Sequence, residues 1–104
     1  MRKVSETTLK AIERHFHELI RERAGKLIVQ HNLALPELTS QFVAAESRTG
    51  FQIPGMYGGF SYWLEGEGDQ TKLIAESWSR VVDGSGQRHE ITAKGSRLVD
   101  EGFV

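Results

Sequence analysis

The 104-residue sequence contains no cysteine, which excludes disulfides, thiolate nucleophiles and zinc–cysteine sites. It also lacks any apolar run close to the roughly 20 residues that a membrane-spanning helix requires. The charged and polar segment 1–8 is not followed by the apolar stretch of a secretory signal. We therefore expect a cytoplasmic protein that does not insert into a membrane.

The chain has no large excess of charge of either sign, since its formal net charge is −1. Residues 1–26 nevertheless hold seven Lys/Arg and four Glu, which gives +3, while the remainder holds six and ten, which gives −4. A basic helix packed on an acidic sheet explains this asymmetry as internal charge matching. The alternative is a polyanion site on the helix, formed by Arg14, Arg21, Arg23 and Lys26, but nucleic-acid binding is not expected from the net charge.

With 38% hydrophobic and 26% charged residues, the chain is typical of one folded domain over residues 1–104. Apolar residues spaced by three and four predict a helix from Ser5 to Ala24, with the stripe Leu9, Ile12, Phe16, Leu19, Ile20 and Ala24. Ser5 is the predicted N-cap. Gly25 interrupts the pattern, but Leu27 and Ile28 extend the same stripe, so we expect the helix to continue to Gln30.

The helical part is predicted to reach residue 48. Residues 35–39 predict the start of a short second helix with Pro36 in its first turn, and residues 42–45 would be its apolar side. The following stretch, 50–59, contains four glycines and a proline and predicts an ordered loop or a bulged sheet edge.

Residues 60–104 predict antiparallel strands. These strands cover Phe60–Leu64, Lys72–Val82, Gln87–Thr92 and a short final segment from Arg97, and Asp83–Gly86 has the composition of a hairpin turn. The sequence thus predicts an α+β fold with one long N-terminal helix packed on a three- to four-stranded antiparallel meander.

This order of elements, a helix followed by an antiparallel meander over most of the chain, resembles the cystatin-like and nuclear-transport-factor-like superfolds. The resemblance implies a broad range of activities, because such folds include inhibitors, small-molecule pockets, isomerases and dimerisation modules. The helical part is too short to close the cone of the nuclear-transport-factor pattern, so a deep enclosed pocket is not expected. No catalytic residue is carried over.

A tight turn at Asp83–Gly86 would pair Val82 with Gln87, Arg80 with His89 and Trp78 with Ile91. One face would then carry Trp78, Arg80 and His89, with Glu76 near its end. Such a group suits an anionic small molecule or proton transfer. The alternative is an exposed face with cross-strand pairs such as Arg80 stacked on Trp78.

Four of the nine aromatic residues lie between residues 57 and 63. Strand alternation sends Phe60, Tyr62 and Leu64 under the helix as core and leaves Trp63, with Tyr57, as a surface or pocket candidate. The histidine spacings match no metal motif, so we expect no metal, no cofactor and no catalytic residue. The candidate ligand-binding residues are Tyr57, Trp63, Glu76, Trp78, Arg80 and His89.

Three functions remain open at this point. The first is a non-enzymatic binding or protein-interaction module, for which a homodimer is one form, held either by the helix stripe or by the free face of the sheet. The second is a small-molecule-binding protein or weak enzyme with a polar and aromatic pocket on the sheet. The third, ranked last, is nucleic-acid binding through the basic helix.

Overall fold

The computed structural model describes residues 3–38, 48–80 and 86–102. Its elements are α1 (Glu6–Gln30), β1 (Thr49–Ile53), β2 (Gly58–Glu65), β3 (Lys72–Ser79), β4 (Gln87–Thr92) and β5 (Gly95–Glu101), with a 3₁₀ turn at Gly68–Gln70. The strands form one antiparallel sheet in the order β1-β2-β3-β4-β5. The predicted α+β class, with the helix first and a meander after it, is confirmed, and the sheet has one strand more than the upper number predicted.

Helix α1 begins where the sequence predicts. The Ser5 hydroxyl accepts a hydrogen bond from the Thr8 backbone N–H at 3.1 Å, which satisfies one of the free donors of the first turn. All six residues of the predicted stripe are buried, from Leu9 to Ala24. Because that stripe packs on the sheet of its own chain, it does not offer the helical dimer seam considered above.

The helix continues past Gly25 to Gln30, as expected, but with a local break. Ala24 has non-helical angles of φ −145° and ψ 26° directly before the glycine, the residue that stabilises a helix interior least apart from proline. The end of the helix is capped by its own backbone. The Leu33 N–H donates to the Ile28 carbonyl at 3.1 Å, and Asn32 takes the left-handed φ of 49° that this kind of cap requires.

The segment after the helix returns along α1 without forming a second helix at residues 33–38, which corrects the prediction for residues 35–38. Two contacts fix its path: the Leu38 N–H donates to the Glu13 carboxylate at 2.7 Å, and the His17 ring contacts the Pro36 carbonyl. Leu38 is fully buried in the core. These tertiary contacts replace the local hydrogen bonds of a helix, and residues 39–47, including the rest of the predicted second helix, lie outside the described residues.

The core is centred on Phe16 of α1. Its ring lies 6.0 Å from the ring of Phe60 and 4.9 Å from that of Tyr62, measured between centroids. Phe60, Tyr62 and Leu64 are buried, so their predicted position under the helix is confirmed. Leu73 and Ala75 of β3 lie on the same side of the sheet and are fully buried.

Strand β1 was not predicted as a separate strand. It occupies Thr49–Ile53, which begins one residue before the stretch 50–59 predicted as a loop or bulged edge, and it pairs with β2 so that Phe51 faces Phe60. The end of β1 is held by the core, because Ile53 is only 2% exposed. Tertiary burial of alternate residues therefore outweighs the low strand propensity of the glycines here.

Strand β5 covers Gly95–Glu101, which begins two residues before the predicted final strand. A register shift between Arg88 and His89 interrupts its pairing with β4. Phe103, Val104 and residues 83–85 of the predicted Asp83–Gly86 turn lie outside the described residues.

Candidate functional site

The sheet face opposite α1, called here the outer face, carries five of the six predicted site residues. Trp63 lies on β2, Glu76 and Trp78 lie on β3, and Tyr57 and Arg80 lie directly beside the paired ends of these two strands. Strand alternation predicts that Glu76, Trp78 and Arg80 share a face, and the pairing of β2 with β3 brings Trp63 to the same face. His89 is the exception.

His89 lies on the helix side of the sheet. The predicted pairing of Arg80 with His89 and Trp78 with Ile91 is wrong, because β4 pairs with β3 as Leu73 with Ile91 and Ala75 with His89. The two registers differ by five residues, and any odd difference turns every side chain of a strand to the opposite face. The observed register places Ile91, which is fully buried, opposite the equally buried Leu73. In this register Gln87 pairs with Ser77 instead of Val82, and Ile91 is buried in the core.

Glu76 is the centre of an ion cluster on the outer face. Its side chain is buried, with 7% of the residue exposed, and Oε2 accepts a hydrogen bond from the Arg88 Nε at 2.8 Å. Its other oxygen lies 3.4 Å from an Arg48 guanidinium nitrogen. The hydrogen bond with Glu76 raises the pKa of Arg88. Two arginines thus neutralise one buried carboxylate, which makes Glu76 a structural anchor between neighbouring strands.

The same cluster orients Trp63. The Arg48 guanidinium lies 4.3 Å from the centre of the Trp63 ring, a cation–π distance, and the indole Nε1 donates to Glu65 at 2.9 Å. Trp63 is half-buried between these partners. The tryptophan is therefore held in place while part of its ring stays accessible.

A shallow cleft of about 230 Å³ lies at the other end of the β2–β3 hairpin, lined by Gln52, Tyr57, Trp78 and Arg80. Tyr57 is 70% exposed, and its carbonyl accepts a hydrogen bond from the Arg80 N–H at 3.0 Å. Among residues 3–38, 48–80 and 86–102, no carboxylate lies within ion-pair distance of Arg80. The cleft therefore presents a cation that no described group neutralises, beside two aromatic rings.

Gly59 explains how the cleft forms. Gln52, Gly59 and Trp78 are direct neighbours across β1, β2 and β3. With no side chain at the middle position, Gln52 and Trp78 can line one cleft from strands that are not adjacent. Tyr57 reaches the cleft from a left-handed turn with φ 51°, which is rare for a residue with a bulky side chain.

Three residues of the outer face were not predicted as members of a site. Arg48 falls in a region predicted to be helical, and Gln52 falls in one predicted as loop or edge. The predicted register puts His89 on the outer face, which would turn its neighbour Arg88 away from that face. No local pattern marks Arg48. The alternation of Phe51 and Ile53 around Gln52 was the one available signal of a strand.

Within the described ranges, no group of three or more His, Asp or Glu side chains is placed to hold a metal ion. Among the same residues, no helix combines the length and the apolar character needed to cross a membrane. Comparison with known proteins found no matching family model, curated protein or solved structure.

His89 provides a testable property of the fold. Burial lowers the pKa of His89, the positive charge of Arg23 lowers it further, and Glu22 opposes this effect. When the pH falls below the ordinary histidine pKa of about 6.5, His89 therefore becomes protonated more readily in the unfolded chain than in the folded chain. We expect His89 to make the free energy of unfolding fall as pH drops from about 7.5 to about 5.5.

Urea unfolding at the two pH values, for the wild type and His89→Gln, measures this contribution. The variant should lose less stability on acidification, because glutamine does not titrate while the other histidines are unchanged. An equal loss in both proteins would show that another group causes the pH dependence.

Proposed function

We propose that this protein is a non-enzymatic interaction module that binds a protein partner through the outer face of its sheet. The observation that carries the proposal is the grouping of two tryptophans, a tyrosine and two arginines on that face. Trp63 with Arg48 forms one group, and Trp78 with Tyr57 and Arg80 forms the other. Tryptophan, tyrosine and arginine are the residues most enriched among those that dominate binding energy at protein interfaces.

The spacing of the two groups favours a macromolecular partner. Trp63 lies four residues from Gly59, the position that pairs with Trp78, which places the two tryptophan positions about 13 Å apart along the strands. The cleft itself, at about 230 Å³, is smaller than the roughly 300–1,000 Å³ of most small-molecule pockets. A surface with two separated contact points suits a protein better than one small ligand.

The two other functions have less support. A small-molecule site would use the cleft around Arg80 alone and would leave Trp63 without a role. Nucleic-acid binding would use the basic residues of α1, but Glu18 and Glu22 alternate with them, and Arg23 donates a hydrogen bond to Gln87 of the sheet at 2.8 Å. We therefore rank the outer face above both.

The proposal is tested by asking which face a partner needs. The tagged protein is isolated from the cells that naturally make it, as the wild type, as Trp78→Ser and Arg80→Ala, and as the control Arg14→Ala on the exposed side of α1. We expect the two outer-face variants to lose at least 80% of any specifically bound protein, whereas the control keeps it, because truncation of such anchors costs about 1–4 kcal/mol of binding.

Circular dichroism of each variant confirms that folding is intact. Arg80 is exposed, so Arg80→Ala provides a test even where Trp78→Ser lowers stability. Loss of binding in the helix variant alone would contradict the proposal, and so would retention of every partner by both outer-face variants.

A further inference from the structure

We infer that the protein bound on the outer face is a second copy of this chain, related by a two-fold axis so that the strands of the two sheets run in opposite directions across the interface. This inference rests on the proposed function, since it names the partner of the same face. It follows from three properties of the β2–β3 hairpin: the charges at its two ends, the sizes of the side chains between them, and the ion cluster at its centre.

The two ends of the hairpin carry opposite charge. At the connection between the strands, Glu65, Glu67 and Asp69 are exposed, and no cation lies within ion-pair distance of Glu67 or Asp69 among the described residues. At the other end, Arg80 is exposed and has no described carboxylate partner. A two-fold axis in the interface, perpendicular to the strands, places each acidic end over the Arg80 end of the other copy. Two identical attractive contacts result, as in a closed symmetric dimer.

The side-chain sizes along β2 are complementary under the same operation. Ser61, which pairs with Glu76, lies midway between Trp63 and Gly59 on the outer face. An axis through this middle position puts Trp63 of one copy over Gly59 of the other. Gly59 is buried and its Cβ position is closed by the Phe51 carbonyl oxygen, so the indole would lie over the cleft between Gln52 and Trp78 on either side of it. Each copy both contributes and receives one tryptophan.

The second copy can cover the centre of the outer face without supplying a positive charge for Glu76. Glu76 is already only 7% exposed and is bound by Arg88 and Arg48, so little of its hydration remains to be removed. An unpaired charge at this point would oppose burial strongly. Because Glu76 is already paired with arginines of its own chain, its burial in a dimer does not carry the cost of an unpaired charge.

The area of the outer face determines how tightly the two copies are expected to bind. Five strands about 4.8 Å apart and about seven residues long form a face of roughly 19 by 23 Å. Such a face covers about 440 Å², about half of the roughly 800 Å² per partner of stable interfaces, so only a weak interface is expected. We therefore expect a reversible dimer with a dissociation constant in the micromolar range.

Sedimentation equilibrium of the purified full chain from about 1 µM to about 1 mM measures this directly. The mass should rise from 11.7 kDa to twice that value and stop there. Arg80→Glu and Glu67→Arg should each weaken dimerisation about tenfold or more, because each change acts at both symmetric contacts. The double variant Arg80→Glu/Glu67→Arg should recover most of the affinity, which a general loss of folding would not do. Arg14→Glu on α1 is the matched charge control and should dimerise normally.

A monomer at every concentration would overturn the inference. So would a mass that grows beyond the dimer, which indicates head-to-tail assembly, or a dimer sensitive to Arg14→Glu and insensitive to Arg80→Glu. These outcomes are separate from failure of the proposed function. If the protein is a monomer at every concentration but Arg80→Ala abolishes binding of its natural partner, the outer face is still the binding surface. Only the identity of the bound protein then differs from the one inferred here.

Discussion

Replacing Gly58 with alanine is expected to lower the free energy of unfolding by about 3 kcal/mol, because the new methyl group has no space. A Cβ atom at this position would overlap the Trp78 carbonyl oxygen and lie 2.7 Å from the Cα atom of Ser79. Both belong to the backbone of β3, in the middle of the sheet, and cannot move aside as the end of a flexible side chain can. Urea unfolding of Gly58→Ala against the wild type measures the effect.

Gly50 provides the matched control, because it lies on β1 in the same sheet but has open space around it. A Cβ atom at Gly50 would meet nothing within 4 Å, and the residue does not have a positive φ. Gly50→Ala should therefore change the free energy of unfolding by no more than about 0.5 kcal/mol. Similar losses in the two variants would show that the close approach of β3 to Gly58 is not what constrains that position.

Truncation of Phe16 should have the largest effect on the core. The side chain is fully buried and its ring contacts both Phe60 and Tyr62, so Phe16→Ala removes the central aromatic group between α1 and β2. Phenylalanine-to-alanine changes at such sites cost about 3–5 kcal/mol, from lost transfer energy and the cavity that remains. For a domain with a total stability of about 5–15 kcal/mol, this loss is a large share. Chemical denaturation checks the size of the loss.

Val29→Ala tests whether the loss of stability in Phe16→Ala depends on the buried position of Phe16 in the helix. It lies on the same helix but is 82% exposed, so Val29→Ala removes an apolar side chain without making a cavity. We expect a change within about 0.5 kcal/mol, with alanine's higher helix propensity favouring a small gain. A small loss in Phe16→Ala, close to that of Val29→Ala, would contradict the packing described here.

Local sequence patterns predicted the helix and strands in which buried residues recur at regular spacing along one face. The three- and four-residue spacing from Leu9 to Ala24 located α1, and Ser5 located its first turn, because both depend on atoms within one or two turns of helix. Alternation around Phe60 and Tyr62 assigned the two faces of β2 for the same reason. The shared face of Glu76 and Trp78 could therefore be predicted in advance, whereas Trp63 joins them through the pairing of β2 with β3.

The sequence by itself determined the helix, its N-cap, the inward face of β2 and the α+β class, since each follows from local patterns along the chain. Only the tertiary structure decided the register of β4, the pairing of β1, and the contacts that bring Arg48 to Trp63 and Gln52 to Trp78. These depend on residues far apart in the chain, whose pairing is chosen by which side chains the core can bury. A register change of five residues leaves the pattern along each strand intact and yet moves His89 from the outer face to the helix side.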